Sequence, residues 1–200
     1  MKKPNIPDKY QVIWEKAVPF LKKCRSSDLL HSQKNAEEVF RLCKGEKWDI
    51  DVLIPVAIFH DIGHSAILPE HFSLISGPNK EENSKLVHML TGAKIAKDIL
   101  KSIKYSNNKI KNIVEIISIH DKKDQSLFDT IEKRIFHDID RLDRFSENGI
   151  KMGKKEFGLN PNQVIKLLEN QLLSEIISDN FRKIAKGNLL KLKTKYKIKI

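Results

Sequence analysis

The sequence predicts an all-α protein, a single bundle of helices, and three observations carry that prediction. Apolar residues recur at helical spacing through nearly the whole chain. No internal repeat and no Gly/Ser-rich linker divides it. At 200 residues, 40% hydrophobic and 32% charged, it has the size and balance of one soluble domain with a substantial core.

The elements follow in order. Residues 8–24 read as a first helix with Val12, Ile13, Ala17 and Phe20 on one side and a kink at Pro19. Ser27 or Asp28 caps a second, whose stripe Ala36, Val39, Phe40 and Cys43 ends near Gly45. Residues 50–62 form a buried helix despite Pro55, and Gly63 releases it so that backbone can approach whatever His60 and Asp61 hold. A loop over 63–82, with Pro69, Gly77, Pro78 and Asn79, is long for a compact domain and suits a lid or substrate loop. Asn83 or Ser84 opens a helix to about Ile103, and 107–120 form another. Asp129 caps a helix to about Phe145, and Asn160-Pro161 opens a last long one closing near Gly187. The basic tail Leu189–Ile200 alternates Lys with apolar residues and reads equally as an edge strand, a basic arm or a frayed end.

Composition narrows the classes of function. No stretch approaches the roughly 18 apolar residues of a membrane span, and no apolar segment follows the basic start as in a signal peptide, so a cytoplasmic protein with no membrane partner is expected. Cys24 and Cys43 lie far apart with no Cys-x-x-Cys, and pack as small apolar residues rather than as thiolate ligands. The net charge of +11 could attract a polyanion. The basic residues lack interleaved aromatics, which disfavours nucleic acid and leaves a small phosphorylated substrate as the expected partner. Self-association into a homo-oligomer is left open.

The chemistry-bearing signal is a series of histidines and aspartates set beside apolar runs. His60-Asp61 ends the run Ala57-Ile58-Phe59, where polar side chains are costly unless paired or metal-bound. His120 shares a helix face with Ile113, Ile116 and Ile117; His88 lines up with Gly92, Ile95 and Ile99, the glycine leaving room for a neighbour. Asp140 sits at the margin of Ile135, Phe136, Ile139 and Leu142, and His31 opens its helix. One such histidine is more often an ordinary core residue than a ligand. A whole series is harder to dismiss.

In that order, His31, His60-Asp61, His88, His120, Asp140, the chain resembles the HD-domain superfamily of metal-dependent phosphohydrolases. His31-Ser32-Gln33-Lys34-Asn35-Ala36 looks like its opening helix, and Ala57 to Gly63 like its A-x-x-H-D-I-G stretch. His88 to Ala96 resembles H-x-x-x-G-A-x-I-A, and Ile139 to Asp143 resembles the closing A-D-x-L-D. The resemblance covers about 28–145, with 1–27 as an N-terminal helix packing on the core and 146–200 as a C-terminal helix and basic tail completing the same domain.

The resemblance implies His31, His60, Asp61 and Asp140 as ligands of a first metal, with His88 and His120 serving a second and Asp61 bridging. Mixed imidazole and carboxylate ligation suits Mn²⁺, Fe²⁺, Co²⁺, Ni²⁺ or Zn²⁺ better than Mg²⁺. One or two such ions can generate a hydroxide at neutral pH and clamp phosphoryl oxygens, so the implied activity is hydrolysis of a small-molecule phosphate ester, plausibly a nucleotide. Two alternatives stand beside it: a di-iron HD-type oxygenase, and a helical regulatory or nucleic-acid-binding domain with a residual metal site.

Asp61 and His64 are the catalytic candidates. His64 stands where some relatives carry a phosphate-contacting lysine, and a histidine there could give a proton to a leaving oxygen near pH 7; otherwise it is a surface loop residue. That change, and the lack of Gly-Tyr-Pro after His120-Asp121-Lys122-Lys123, excludes the cyclic-dinucleotide phosphodiesterase branch. Asp121 is read as an outer-shell partner of a ligand histidine or as a helix-end residue. Asp138 and Asp143 flank Asp140, Asp143 as a structural residue. His71 and His137 are ordinary polar positions, and Arg141, Arg144 and Lys151 read as a solvated face rather than as phosphate contacts. Asn35 replaces an arginine of many relatives, which puts a substrate contact there in doubt.

Overall fold

The computed structural model describes residues 3–67 and 79–198, with the side chain of Glu156 set aside. Among the described residues all regular structure is helical. The chain divides into two compact units, one up to Lys122 and one from Lys123.

In the first unit a 3₁₀ turn, Asp8–Tyr10, leads into α1 (Gln11–Leu21), followed by α2 (Asp28–Leu42), α3 (Ile50–Phe59), a second 3₁₀ turn (Ile62–Ala66), α4 (Lys80–Ser102) and α5 (Asn107–Ile119). Helix α3 is the centre. Val52 to Phe59 are all buried, as expected for a helix apolar on every side. It packs on α2 and α5, while α4 packs on α5 and on the turn Ile62–Ala66. Pro55 has no N–H to give to the carbonyl of Asp51, one turn back. The Tyr105 hydroxyl donates to that carbonyl instead, at 2.7 Å. The helix thus keeps its proline without an orphaned acceptor.

Several boundaries differ from the sequence reading. α1 buries Ile13, Trp14, Ala17 and Leu21 instead of a stripe through Val12 and Phe20, both of which are partly exposed. α3 stops at Phe59, with His60 as its C-cap, so the His-Asp pair sits past the helix. The turn Ile62–Ala66 and the start of α4 at Lys80 occupy both ends of the expected 63–82 loop; residues 68–78 lie outside the described residues.

In the second unit a 3₁₀ turn, Gln125–Leu127, precedes α6 (Ile131–Arg144), α7 (Glu147–Phe157), α8 (Pro161–Leu167), a π-helical stretch (Leu168–Leu172), α9 (Leu173–Glu175) and α10 (Asp179–Lys195). Thr130, not Asp129, caps α6 through its side chain, while Asp129 accepts from Lys133 Nζ at 2.8 Å. Helix α7 is absent from the sequence reading. Its signals are Ser146, whose hydroxyl accepts from the N–H groups of Asn148 and Gly149, and Gly158, which takes the left-handed conformation at φ 66°. The expected helix from Asn160 to Gly187 is broken at Ile176, which is extended. Buried Asp138 holds the break by accepting from the N–H groups of Ile177 and Ser178 at 2.8 and 2.9 Å. Gly187 lies inside α10, which carries the tail to Lys195 as helix, so neither strand nor frayed arm describes Leu189–Lys195.

Candidate metal centre

Four of the expected ligand histidines and Asp61 converge in the first unit. His31 comes from the first turn of α2, His60 and Asp61 from the end of α3, His88 from the middle of α4, and His120 from the end of α5. All five are between 1% and 7% exposed. His31, His60 and Asp61 form one group whose ligand atoms lie within 4.8 Å of one another; Asp61, His88 and His120 form a second. Asp61 is common to both, and its two oxygens divide between them. Oδ2 is 3.5 Å from His60 Nε2, while Oδ1 is 3.9 Å from His88 Nε2 and 3.7 Å from His120 Nε2.

The helices aim these rings. A helix end leaves its last carbonyls without intrahelical donors. The C-cap residues His60 and His120 place Nδ1 at 3.0 Å from the Ala57 carbonyl and 2.8 Å from the Ile117 carbonyl. Within α4, His88 Nδ1 likewise lies 3.2 Å from the Ser84 carbonyl. With Nδ1 held at a carbonyl, each ring turns Nε2 toward Asp61, where a metal ligand would need it. His88 Nε2 is fully buried and makes no hydrogen bond among the described residues. A bare lone pair in that position is costly, and a cation between it and Asp61 Oδ1 would satisfy it. The donor set therefore fits a divalent transition ion.

Gly63 and Gly92 set the spacing. A Cβ on Gly63 would lie 1.9 Å from the His88 carbonyl oxygen and 2.6 Å from Gly92 N. A Cβ on Gly92 would lie 3.2 Å from Gly63 N. The room expected at Gly92 is filled by the backbone of Gly63. Gly63, in turn, serves close approach to α4 rather than to a bound group.

Charge sharpens the picture. Burial opposes ionisation of Asp61, but His60, His120, Arg25 and His31 outweigh it and hold the carboxyl well below its ordinary range. His64 stacks on His88 at 4.3 Å between centroids, with Nε2 3.7 Å from Asp61 Oδ1. Burial pulls its pKa down to about 3, with Arg25 and His88 adding to the effect. It is therefore a neutral imidazole at pH 7, not the ready proton donor that its ordinary pKa suggests.

The sequence reading missed two residues. Arg25 Nε donates to both oxygens of Asp28 at 3.0 and 3.1 Å, and Nη2 donates to Asp61 Oδ2 at 3.3 Å. Asp28, read as a helix cap, is fully buried and with Asp61 and His64 completes a third convergent group. The arginine lies before its helix, outside any apolar periodicity, so no local pattern marks it.

The remaining candidates are placed as follows. Asp121 Oδ2 lies 3.8 Å from His88 Nε2, at the edge of the cluster, as an outer-shell partner would. The Asn35 amide donates to His31 Nε2 at 3.2 Å. Asp140 belongs to the second unit, where it is 2% exposed on α6, with Arg141 and Arg144 nitrogens 3.9 and 3.8 Å from its Oδ2. Arg141 is buried and reaches Glu175 and the His137 carbonyl, so it is not part of a solvated face. Asp143 accepts from Asn148 Nδ2 at 3.0 Å, a structural role as expected. His137 is buried beside Asp138. His71 lies outside the described residues.

A family model for the HD domain matches residues 29–145. The chain belongs to the HD-domain family. That match spans more than half the chain and contains the entire histidine and aspartate series. The HD domain identifies the all-helical fold and places the protein in the superfamily of metal-dependent phosphohydrolases, whose members are generally, though not universally, hydrolases. No curated protein and no solved structure matches the chain.

Proposed function

We propose that this HD protein is a metal-dependent phosphohydrolase that cleaves a phosphate ester of a small molecule, with nucleotides the first class to test. One observation carries the reading: Asp61 turns one oxygen toward His60 and the other toward His88 and His120, the disposition of a carboxylate shared by two cations. His31, His60 and Asp61 would hold the first ion. Asp61, His88 and His120 would hold the second. When bound, such ions supply Lewis acidity, making water a nucleophile near neutral pH and drawing charge from phosphoryl oxygens.

The chain's own side chains do the rest. The Nδ1 contacts keep the ligand rings from rotating, so Nε2 stays aimed. His64, neutral and lodged against His88, is suited to accept a proton from water or to donate its single N–H to a phosphoryl oxygen. Burial of the cluster strengthens each of these interactions.

The test pairs metal analysis of the purified protein with a screen of nucleotides and sugar phosphates. The parent is expected to contain transition metal and to hydrolyse at least one ester in a chelator-sensitive way, and Asp61→Ala is expected to lose both. Hydrolysis by Asp61→Ala at the parental rate overturns the proposal. Oxygen consumption after anaerobic purification, with no ester cleaved, reassigns the site to oxidative chemistry.

A further inference from the structure

We propose that Arg25 is a substrate-binding residue of this site, an anion clamp aimed by Asp28 at the phosphoryl group that the Asp61 cluster would act on. The inference rests on the phosphohydrolase reading and adds the residue that receives the anionic end of the substrate.

The geometry is that of a built arm. Asp28 is fully buried, a position a carboxylate occupies only with compensation. It accepts from the Arg25 backbone N–H at 3.1 Å and from Nε at 3.0 and 3.1 Å. These contacts fix the plane of the guanidinium at its inner edge. The outer edge reaches Asp61 Oδ2 through Nη2, while the side chain as a whole remains about half exposed, at 49%. The guanidinium is anchored on Asp28 and meets Asp61, on a side chain that keeps half of its surface exposed.

Arg25 ends at the carboxylate that both candidate metal groups share. A divalent cation on Asp61 would compete for Oδ2 and leave Nη2 seeking another acceptor. A phosphoryl oxygen drawn to the cation meets that need, and guanidinium geometry suits two parallel N–H···O contacts to phosphate. Arg25 supplies a fixed positive charge beside Asp28 and Asp61. Lysine could supply the charge but could not hold Asp28 with one edge and phosphate with the other.

The probe is inorganic phosphate, titrated calorimetrically into Mn²⁺-loaded full-length protein, with bound metal measured on the same samples. Arg25→Ala is expected to weaken phosphate binding about 10- to 100-fold, the effect of removing charge-assisted hydrogen bonds. Its metal content should be unchanged or higher, because a positive charge has been removed beside Asp61. Arg25→Lys should recover part of the affinity, and Asp28→Asn should lose less than Arg25→Ala. Undiminished phosphate binding by Arg25→Ala at full metal content overturns this inference and leaves the phosphohydrolase reading standing. Loss of metal from Arg25→Ala reassigns Arg25 to holding Asp61 and overturns it too. A parent that holds metal but binds no phosphate overturns both.

Discussion

Replacing Gly63 by alanine should separate the two halves of the metal cluster. The added Cβ would stand 1.9 Å from the His88 carbonyl oxygen, 2.6 Å from Gly92 N and 2.8 Å from the His88 carbonyl carbon. All three are backbone atoms of α4, so no side chain can swing away. Restoring a contact of 3.4 Å requires about 1.5 Å of movement between the turn Ile62–Ala66 and α4. Overpacking that must move backbone costs roughly 3 kcal/mol or more, which for a chain of this size lowers Tm by about 6–12 °C. Gly92→Ala is the control, because its Cβ meets Gly63 N at 3.2 Å and needs only a few tenths of an ångström. That crowding is offset by the roughly 1 kcal/mol by which alanine favours a helix interior over glycine, so Gly92→Ala should stay within about 1 kcal/mol of the parent. Urea unfolding of both variants measures the costs, and metal content reports whether the ligands still meet. A Gly63→Ala protein within 1 kcal/mol of the parent, retaining its metal, would refute the claim that this backbone contact sets the site.

Adding Mn²⁺ or Zn²⁺ to metal-free protein at 100 times its Kd should stabilise it by about 2.7 kcal/mol, read as a rise in Tm that Asp61→Ala does not show. Asp138→Ala should cost roughly 2–3 kcal/mol in urea unfolding, since it strips acceptors from the N–H groups of Ile177 and Ser178; an unchanged midpoint would show that the break before α10 does not depend on it. Metal-free protein should lose stability as pH falls from 6.5 toward 3. Over that window the unfolded chain protonates His64, while burial keeps the folded ring neutral to about 3, so the unfolded state gains relative to the folded one. The loss amounts to roughly 5 kcal/mol at most for this residue, and His64→Gln should flatten that part of the stability–pH curve.

The site was legible because its residues break a rule the sequence keeps elsewhere. His60, His88 and His120 interrupt apolar faces, and the buried stripes that place them, Ile113, Ile116 and Ile117 on α5 or Val52 to Phe59 on α3, are readable from spacing. Arg25 and Asp28 follow no such face. Their role arises from a turn that brings the chain back to Asp61, thirty-six residues away from Arg25, and a distance of that kind leaves no local mark. Helix α7 escaped for a different reason. Its Gly149 and Gly153 and its three lysines dilute the apolar stripe, so the caps at Ser146 and Gly158 define it better than its interior does. The break at Ile176 was hidden because its cause, Asp138, lies on another helix altogether.

The same contacts that hold this fold together also decide what its centre can bind. Pro55 costs α3 a hydrogen bond, and Tyr105 replaces it, so the helix delivering His60 stays intact to its last turn. His60 and His120 answer carbonyls that their helix ends would otherwise leave bare, and in doing so fix their own tautomers. The glycine contact brings α4 close enough for His88 Nε2 to face Asp61 across 3.9 Å. These interactions turn Nε2 of His60, His88 and His120 toward one ionised carboxylate, and His88 Nε2 has no hydrogen bond among the described residues, so binding and stability draw on the same atoms. A cation there would complete the packing as much as the chemistry, which is why the metal-linked rise in Tm and the hydrolytic activity should fail together in Asp61→Ala.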